Sequence, residues 1–137
     1  MKFSKTTEYA IRVMVFLSDH RDALYSANKL HDLLKVPYKY LSRLMSKLAT
    51  AGLVESVQGK HGGFRICPAC EPIYLYQIID VVDGLSDYNR CVLGFEECSD
   101  ENPCSLHNEW LPHLKGIKDM LYNVKLQDLA NEDMVKY

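Results

Sequence analysis

Apolar residues in the first third of the chain fall into three blocks with helical spacing. Tyr9, Val13, Phe16 and Leu17 form a stripe over 6–18, and intervals of three and four put side chains on one face of a helix. Thr6 and Thr7 precede Glu8, so the expected start is a hydroxyl cap with a carboxylate in the first turn. The polar run Asp19-His20-Arg21-Asp22 breaks the pattern. Ser26 is positioned to cap a second helix whose buried face is Leu30, Leu33 and Leu34. Lys35-Val36-Pro37 predicts a turn, and Pro37 suits the first turn of a third helix over 37–50. Leu41, Leu44, Met45 and Leu48 share the core face of that helix, and Gly52 tolerates the left-handed backbone beyond its end.

The period then changes. Residues 53–57 predict a strand and 63–66 its return, joined by the polar, glycine-rich Gln58-Gly59-Lys60-His61-Gly62. Helices followed by such a hairpin are the order of a winged helix-turn-helix, so the expected fold is mainly α with a small β-hairpin. Leu75, Ile78, Ile79 and Val82 predict a further helix ended by Asp83-Gly84. Residues 85–104 carry few apolar side chains and predict a loop. Leu106, Trp110, Leu114, Ile117, Leu121 and Val124 then mark a long amphipathic helix, in which Pro112 is tolerable only near the first turn. So small a chain has too little core left to cover this stripe, which predicts homodimerisation through it. The expected division is a winged helix-turn-helix over 1–84, a cysteine-rich loop over 85–104, and a dimerisation helix with its tail over 105–137.

Charge sharpens this picture. The chain has 137 residues and a net charge of −2. Residues 1–65 hold 11 Lys and Arg against 5 Asp and Glu, whereas 66–137 hold 5 against 13. A basic half beside an acidic one suggests that the first half meets a polyanion. Lys39, Tyr40, Arg43 and Lys47 lie opposite the core face of the third helix, a basic surface with an aromatic, as an element entering the major groove needs. Tyr38, Lys39, Tyr40 and Arg43 are the candidates for base edges and phosphates, and Lys47 for phosphate. Gln58, Lys60 and His61 at the hairpin tip are placed for an adjacent minor groove. A twofold dimer predicts a pseudo-palindromic operator in double-stranded DNA. No apolar run reaches membrane-spanning length, and the opening Met1-Lys2-Phe3-Ser4-Lys5 lacks a secretory signal, so a cytoplasmic location is expected.

All five cysteines fall within 67–104, which in a reducing compartment favours metal or redox chemistry over structural disulfides. Cys91-x6-Cys98-x5-Cys104-x2-His107 offers ligands for zinc or for an iron–sulfur cluster. The wide spacing suits the larger cluster, and His107 is either a fourth ligand or a surface histidine. Cys67-Pro68-Ala69-Cys70 reads as half a zinc site, a redox dithiol, or two incidental thiols in a turn. Catalysis is not expected: no nucleophile elbow, phosphate loop or dinucleotide fingerprint is present. Three thiols in an acidic loop should also have raised pKa values rather than be activated.

The stretch Val36-Pro37-Tyr38-Lys39-Tyr40-Leu41 through Leu44, Leu48 and Gly52-Leu53-Val54, then Ser56-Val57-Gln58-Gly59-Lys60-His61-Gly62-Gly63-Phe64, resembles the Rrf2 family of bacterial winged-helix regulators, which includes IscR- and NsrR-like iron–sulfur sensors. Lys2-Phe3-Ser4, Tyr9-Ala10, Asp80-Val81-Val82-Asp83-Gly84, the cysteine loop and Leu126-Gln127-Asp128-Leu129 agree with it. The resemblance implies a homodimeric regulator of transcription, expected to be a repressor, that senses redox, nitric oxide or iron–sulfur status. It implies one cluster per subunit, 2Fe-2S favoured, on Cys91, Cys98 and Cys104. The fourth ligand is His107, as in the IscR-like group, or Glu8 donated from the first helix of the other subunit. Six residues between Cys91 and Cys98, where five is common, and the Cys67/Cys70 pair depart from the family pattern. Alternatives are a regulator of the same fold using zinc or thiol/disulfide switching without a cluster, or a protein-interaction module with no DNA role.

Overall fold

The computed structural model describes residues 2–129 and 137. Its elements run α1 (Lys5–Asp19), α2 (Ala27–Leu34), α3 (Tyr38–Thr50), β1 (Val54–Val57), β2 (Gly63–Ile66), α4 (Leu75–Val82), α5 (His107–Asn123) and α6 (Leu126–Leu129), with single 3-10 turns at Pro68–Cys70 and Ser86–Asn89. This is the mainly helical chain with one hairpin that the pattern predicts. The strands pair antiparallel, Val54 opposite Ile66 and Val57 opposite Gly63. The tail at 130–136, part of the expected third unit, lies outside the described residues.

Helix α1 is the pillar of the core. Ala10, Val13, Met14, Val15, Phe16 and Leu17 are buried, and they meet Leu30 and Leu34 of α2, Leu41, Leu44 and Leu48 of α3, and Ile78 and Val82 of α4 in one cluster. Each of the Val, Leu, Ile, Phe and Met side chains contributes roughly 1.5–3 kcal/mol on burial. The cap is Ser4 rather than Thr6 or Thr7: its hydroxyl accepts the Thr7 N–H at 3.1 Å. Thr7 is fully buried and donates its own hydroxyl to Asp83 beyond α4, at 3.4 Å. The buried face of α2 is also narrower than its spacing suggested. Leu30 and Leu34 stand one above the other toward the core, whereas Leu33 is 55 % exposed, since a neighbouring position is turned by about 100°. Pro112 is the sixth residue of α5, a turn deeper than expected, and its missing N–H leaves the helix one bond short there.

Helix α3 ends in a Schellman turn: Leu53 N–H donates to Leu48 and Gly52 N–H to Ala49, each at 3.0 Å, with Gly52 at φ +82°. The hairpin is anchored to the helices by a pairing without a periodic sequence signal. Tyr25, between α1 and α2, exchanges two backbone bonds with Phe64, at 3.1 and 2.8 Å. That approach requires bare backbone at Gly63, where a Cβ would sit 2.6 Å from the Tyr25 carbonyl carbon, and a Cβ at Gly62 would overlap the Val57 carbonyl oxygen.

A second, smaller cluster joins Leu75 and Ile79 of α4 to Tyr88 and Leu121 of α5. The chain leaving α5 returns to the start of α4 through Leu126 N–H to Ile73 at 2.7 Å and Leu75 N–H to Val124 at 3.2 Å. Among the described residues no helix is long and apolar enough to cross a membrane. Replacing Gly62 by alanine should destabilise the fold by about 1–3 kcal/mol. Urea unfolding checks this, and an unchanged midpoint would show that the hairpin is not closed as described.

Candidate functional site

Burial of Leu41, Leu44, Met45 and Leu48 fixes the rotation of α3 and turns Tyr38, Lys39, Arg43 and Lys47 to the surface. Tyr38 is 48 % exposed. Tyr40 is half-buried, packed edge-on against Tyr9 of α1 at 5.0 Å, with the Lys39 ammonium 5.5 Å from its ring centroid. Lys39, Tyr40, Arg43 and Lys47, with Thr6 and Leu44, line one concavity of about 290 Å³, so the structure gathers four of the helix candidates in one place. Lys47 also has an internal partner: its Nζ donates to the Val82 carbonyl at 3.3 Å, where a cation favours the C-terminal end of α4. On the hairpin, Gln58, Lys60 and His61 are exposed, and Gln58 donates to Ser56 Oγ at 3.2 Å. Arg65 is paired with Glu55 across the strands at 2.8 Å, which spends its charge locally.

The three loop cysteines converge. The sulfurs of Cys91, Cys98 and Cys104 lie within 4.8 Å of one another, with Cys91 and Cys104 3.6 Å apart. His107, the first residue of α5, brings Nδ1 to 3.3 Å from the Cys98 sulfur and Nε2 to 2.8 Å from an Asp100 carboxylate oxygen. A proton on Nε2, held by Asp100, leaves the Nδ1 lone pair facing the thiols, an arrangement typical of metal-ligating histidines. The thiols, His107, Trp110, Leu111, Leu114 and Lys118 are among the residues lining a cavity of about 190 Å³. Trp110 Nε1 is buried without a hydrogen-bond partner among the described residues. Glu8 lies apart from this group: it pairs with Lys5 at 2.9 Å, and the Lys5 ammonium holds its carboxyl below the ordinary value. Glu8 instead lines a concavity of about 340 Å³ with Phe3, Tyr88, Ile117 and Met120. The sequence pattern gives no sign of Asp100 at this site, and it assigns Trp110 only to the amphipathic stripe of the long helix. Trp110 follows His107 by three, the spacing that shares a helix face, whereas Asp100 carries no periodic signal.

The thiols do not behave alike. Burial pushes Cys91 up, but the Phe95 and Leu93 N–H groups and the neighbouring thiols of Cys104 and Cys98 outweigh it and bring its pKa to about 7. This corrects the expectation that crowding raises all three. At Cys98 the Cys104 N–H favours the thiolate, yet burial and the Cys104 and Cys91 thiols prevail and raise it above the ordinary value. A Cys91 thiolate fraction therefore grows as pH rises through about 7, while Cys98 requires more alkaline conditions. In metal-free, reduced protein at pH 7, Cys91 should be alkylated by iodoacetamide before Cys98. Peptide mapping over a time course reads the order, and equal rates would contradict this electrostatic picture.

Comparison with known proteins places the fold. Residues 3–132 match the family model Rrf2, described as an iron-dependent transcriptional regulator. An HTH-type transcriptional regulator of Aquifex aeolicus is 31 % identical over 133 residues, covering 96 % of this chain and 92 % of the relative. The HTH-type transcriptional regulator IscR of Vibrio vulnificus is 31 % identical over 138 residues, covering 98 % of this chain and 80 % of that protein. Among solved structures, CymR of B. subtilis, described as its global cysteine regulator, superposes with a TM-score of 0.75 at 27 % identity, over 95 % of this chain and 96 % of that one. These relatives are regulators, not enzymes. The chain belongs to the Rrf2 family of transcriptional regulators.

Proposed function

We propose that this chain is a cytoplasmic, homodimeric, sequence-specific repressor whose grip on DNA depends on a metal centre held by Cys91, Cys98, Cys104 and His107. The single observation that carries the sensing half is the convergence of three sulfurs within 4.8 Å beside a histidine already oriented by a carboxylate. The DNA half rests on the cationic concavity of α3 and on membership of the family. In this reading residues 1–84 bind DNA, 85–104 hold the centre, and α5 pairs the subunits. Tyr38, Lys39, Tyr40 and Arg43 meet base edges and phosphates of a pseudo-palindromic operator, Lys47 reaches a phosphate when it leaves Val82, and Gln58, Lys60 and His61 follow the minor groove.

The donor set fits an iron–sulfur cluster, with 2Fe-2S favoured. Three thiols and an imidazole supply four ligands, and about 190 Å³ of cavity exceeds what one ion needs, a water occupying roughly 30 Å³. The unpartnered Trp110 N–H is a donor suited to a sulfur acceptor. When bound, such a cluster supplies reversible electron transfer and a target for oxygen or nitric oxide. A zinc reading draws on the same geometry: thiolates on one zinc lie about 3.8 Å apart, close to the 3.6 Å between Cys91 and Cys104.

Pairing of subunits follows from what α5 leaves uncovered. Leu111, Met120 and Tyr122 are 42, 40 and 47 % exposed, and a second copy of the helix would bury them. Glu8 shares a concavity with Ile117 and Met120, on the side we assign to the second subunit, so it is the alternative fourth ligand, reaching across to the other chain's thiols.

Anaerobic isolation followed by iron, sulfide and zinc analysis tests the centre. Iron and sulfide in equal amounts, with visible absorbance that Cys98→Ser abolishes, are expected; stoichiometric zinc without sulfide would select the zinc reading instead. Asp100→Asn should loosen metal retention by about tenfold or more, and unchanged retention would remove His107 from the ligand set. Arg43→Ala should cost about 1–3 kcal/mol of operator binding if it reads a base, measured by titration at fixed salt. An unaltered affinity would withdraw that assignment.

A further inference from the structure

The sequence holds a second thiol pair that the metal centre does not use. Cys67 caps and Cys70 ends the 3-10 turn Pro68–Cys70 after β2, and the Cys70 N–H donates to the Cys67 carbonyl at 3.2 Å. This turn brings the two sulfurs to 3.2 Å. Both residues are free thiols and half-buried. The pair also touches the DNA-binding element. The Cys70 thiol donates to the Gly52 carbonyl at 2.9 Å, and its one proton is shared between that oxygen and the Cys67 sulfur. The Cys67 N–H donates to the Leu53 carbonyl at 3.2 Å. Gly52 and Leu53 are the two residues that close the Schellman turn of α3.

We infer that Cys67 and Cys70 form a dithiol/disulfide couple that responds to low-molecular-weight disulfides and acts on the end of α3, independently of the metal centre. A sulfur separation of 3.2 Å needs to close by only about 1 Å to reach the bonded distance, which this short turn accommodates with little movement of the chain. Cys67, the acceptor of the Cys70 thiol, is the attacking group. Its thiolate attacks a disulfide RS–SR, forms a mixed disulfide and releases one thiolate. Cys70 then loses its proton and attacks the Cys67 sulfur, expelling the second thiolate. The two protons shed by the cysteines protonate the leaving groups. In sum two protein thiols are oxidised to one disulfide and RS–SR is reduced to two RSH.

The consequence lies in one peptide plane. Oxidation removes the S–H donor from the Gly52 carbonyl, and that carbonyl and the Leu53 N–H belong to the same rigid amide. Losing the bond on one side frees the plane to rock and weakens the Leu53-to-Leu48 bond that ends the recognition helix. Higher disulfide levels therefore loosen the joint between α3 and β1.

The full-length, anaerobic protein is equilibrated with oxidised and reduced glutathione in varying ratio, quenched with an alkylating agent and digested with trypsin. Arg65 and Arg90 isolate a fragment, 66–90, whose only cysteines are this pair. A fragment lighter by two hydrogens that titrates with the glutathione ratio is expected. Amide hydrogen exchange of the oxidised form should then be faster at Leu53 by roughly three- to tenfold, the factor one hydrogen bond carries. Cys70→Ser, which keeps a hydroxyl near Gly52, should exchange like reduced protein at every ratio. Absence of the disulfide, or the disulfide with unchanged exchange at Leu53, overturns the proposal. Both readouts need neither DNA nor metal, so they stand apart from the proposed regulatory function.

Discussion

Two long-range hydrogen bonds converge on the last turn of α4, and the geometry of both functional regions depends on that convergence. Thr7 of α1 donates to Asp83 at 3.4 Å and Lys47 of α3 donates to the Val82 carbonyl at 3.3 Å. The thiol-bearing loop begins immediately afterwards, past Gly84, with φ +79° at that glycine. Helix α3, the central pillar α1 and the loop are thus joined at a single helix end. Each bond is modest, about 1 kcal/mol, but neither acts alone: Val82 is buried in the same cluster as Leu44 and Leu48, so α4 cannot shift without α3 responding.

Under the proposed function, this arrangement would give a physical route from sulfur chemistry to DNA. In the proposed reading, a group bound by Cys91, Cys98, Cys104 and His107 would restrain the segment between α4 and α5 and so bias both the α4 end and the exposed face of α5. A ligand acts only through its different interaction with two states, and on the proposed reading these would differ in how α3 is held against α4 and in how two copies of α5 meet. On the proposed reading Lys47 would be the toggle, its ammonium leaving the Val82 carbonyl to which it donates here for a phosphate. The Cys67/Cys70 pair addresses the same C-terminal end of α3 as Lys47, through the Gly52 carbonyl.

Most helical elements were legible because most of the core is one cluster around α1, and a helix facing one core must repeat its apolar residues every three or four positions. The rule fails where it is locally ambiguous. Leu33 and Leu34 are adjacent, only one can face inward, and Leu30 pairs with Leu34. The cap at Ser4 was missed because Thr6 and Thr7 are equally good cap residues by type, and only the long-range contact with Asp83 removes Thr7 from that role. Pairing of Tyr25 with Phe64 involves one residue on each side and leaves no alternation to detect. At the candidate site, residue type and spacing announced the three thiols and His107, and the structure brings them together, but the Asp100 partner is set by how an irregular loop closes. The lowered Cys91 pKa depends on backbone N–H groups, which no side-chain pattern encodes. As a ligand Glu8 was suggested by resemblance alone, and within one chain it pairs with Lys5 rather than joining the sulfurs.

The account is tested most directly by titrating the anaerobically isolated protein, metal-loaded and metal-stripped, onto its own upstream DNA over a range of salt concentrations. It predicts that the logarithm of the binding constant falls linearly with the logarithm of salt, by about 0.9 per phosphate neutralised, and that the two forms differ in affinity. Failure of both forms to bind at low as well as high salt, or identical curves for the two, would contradict it.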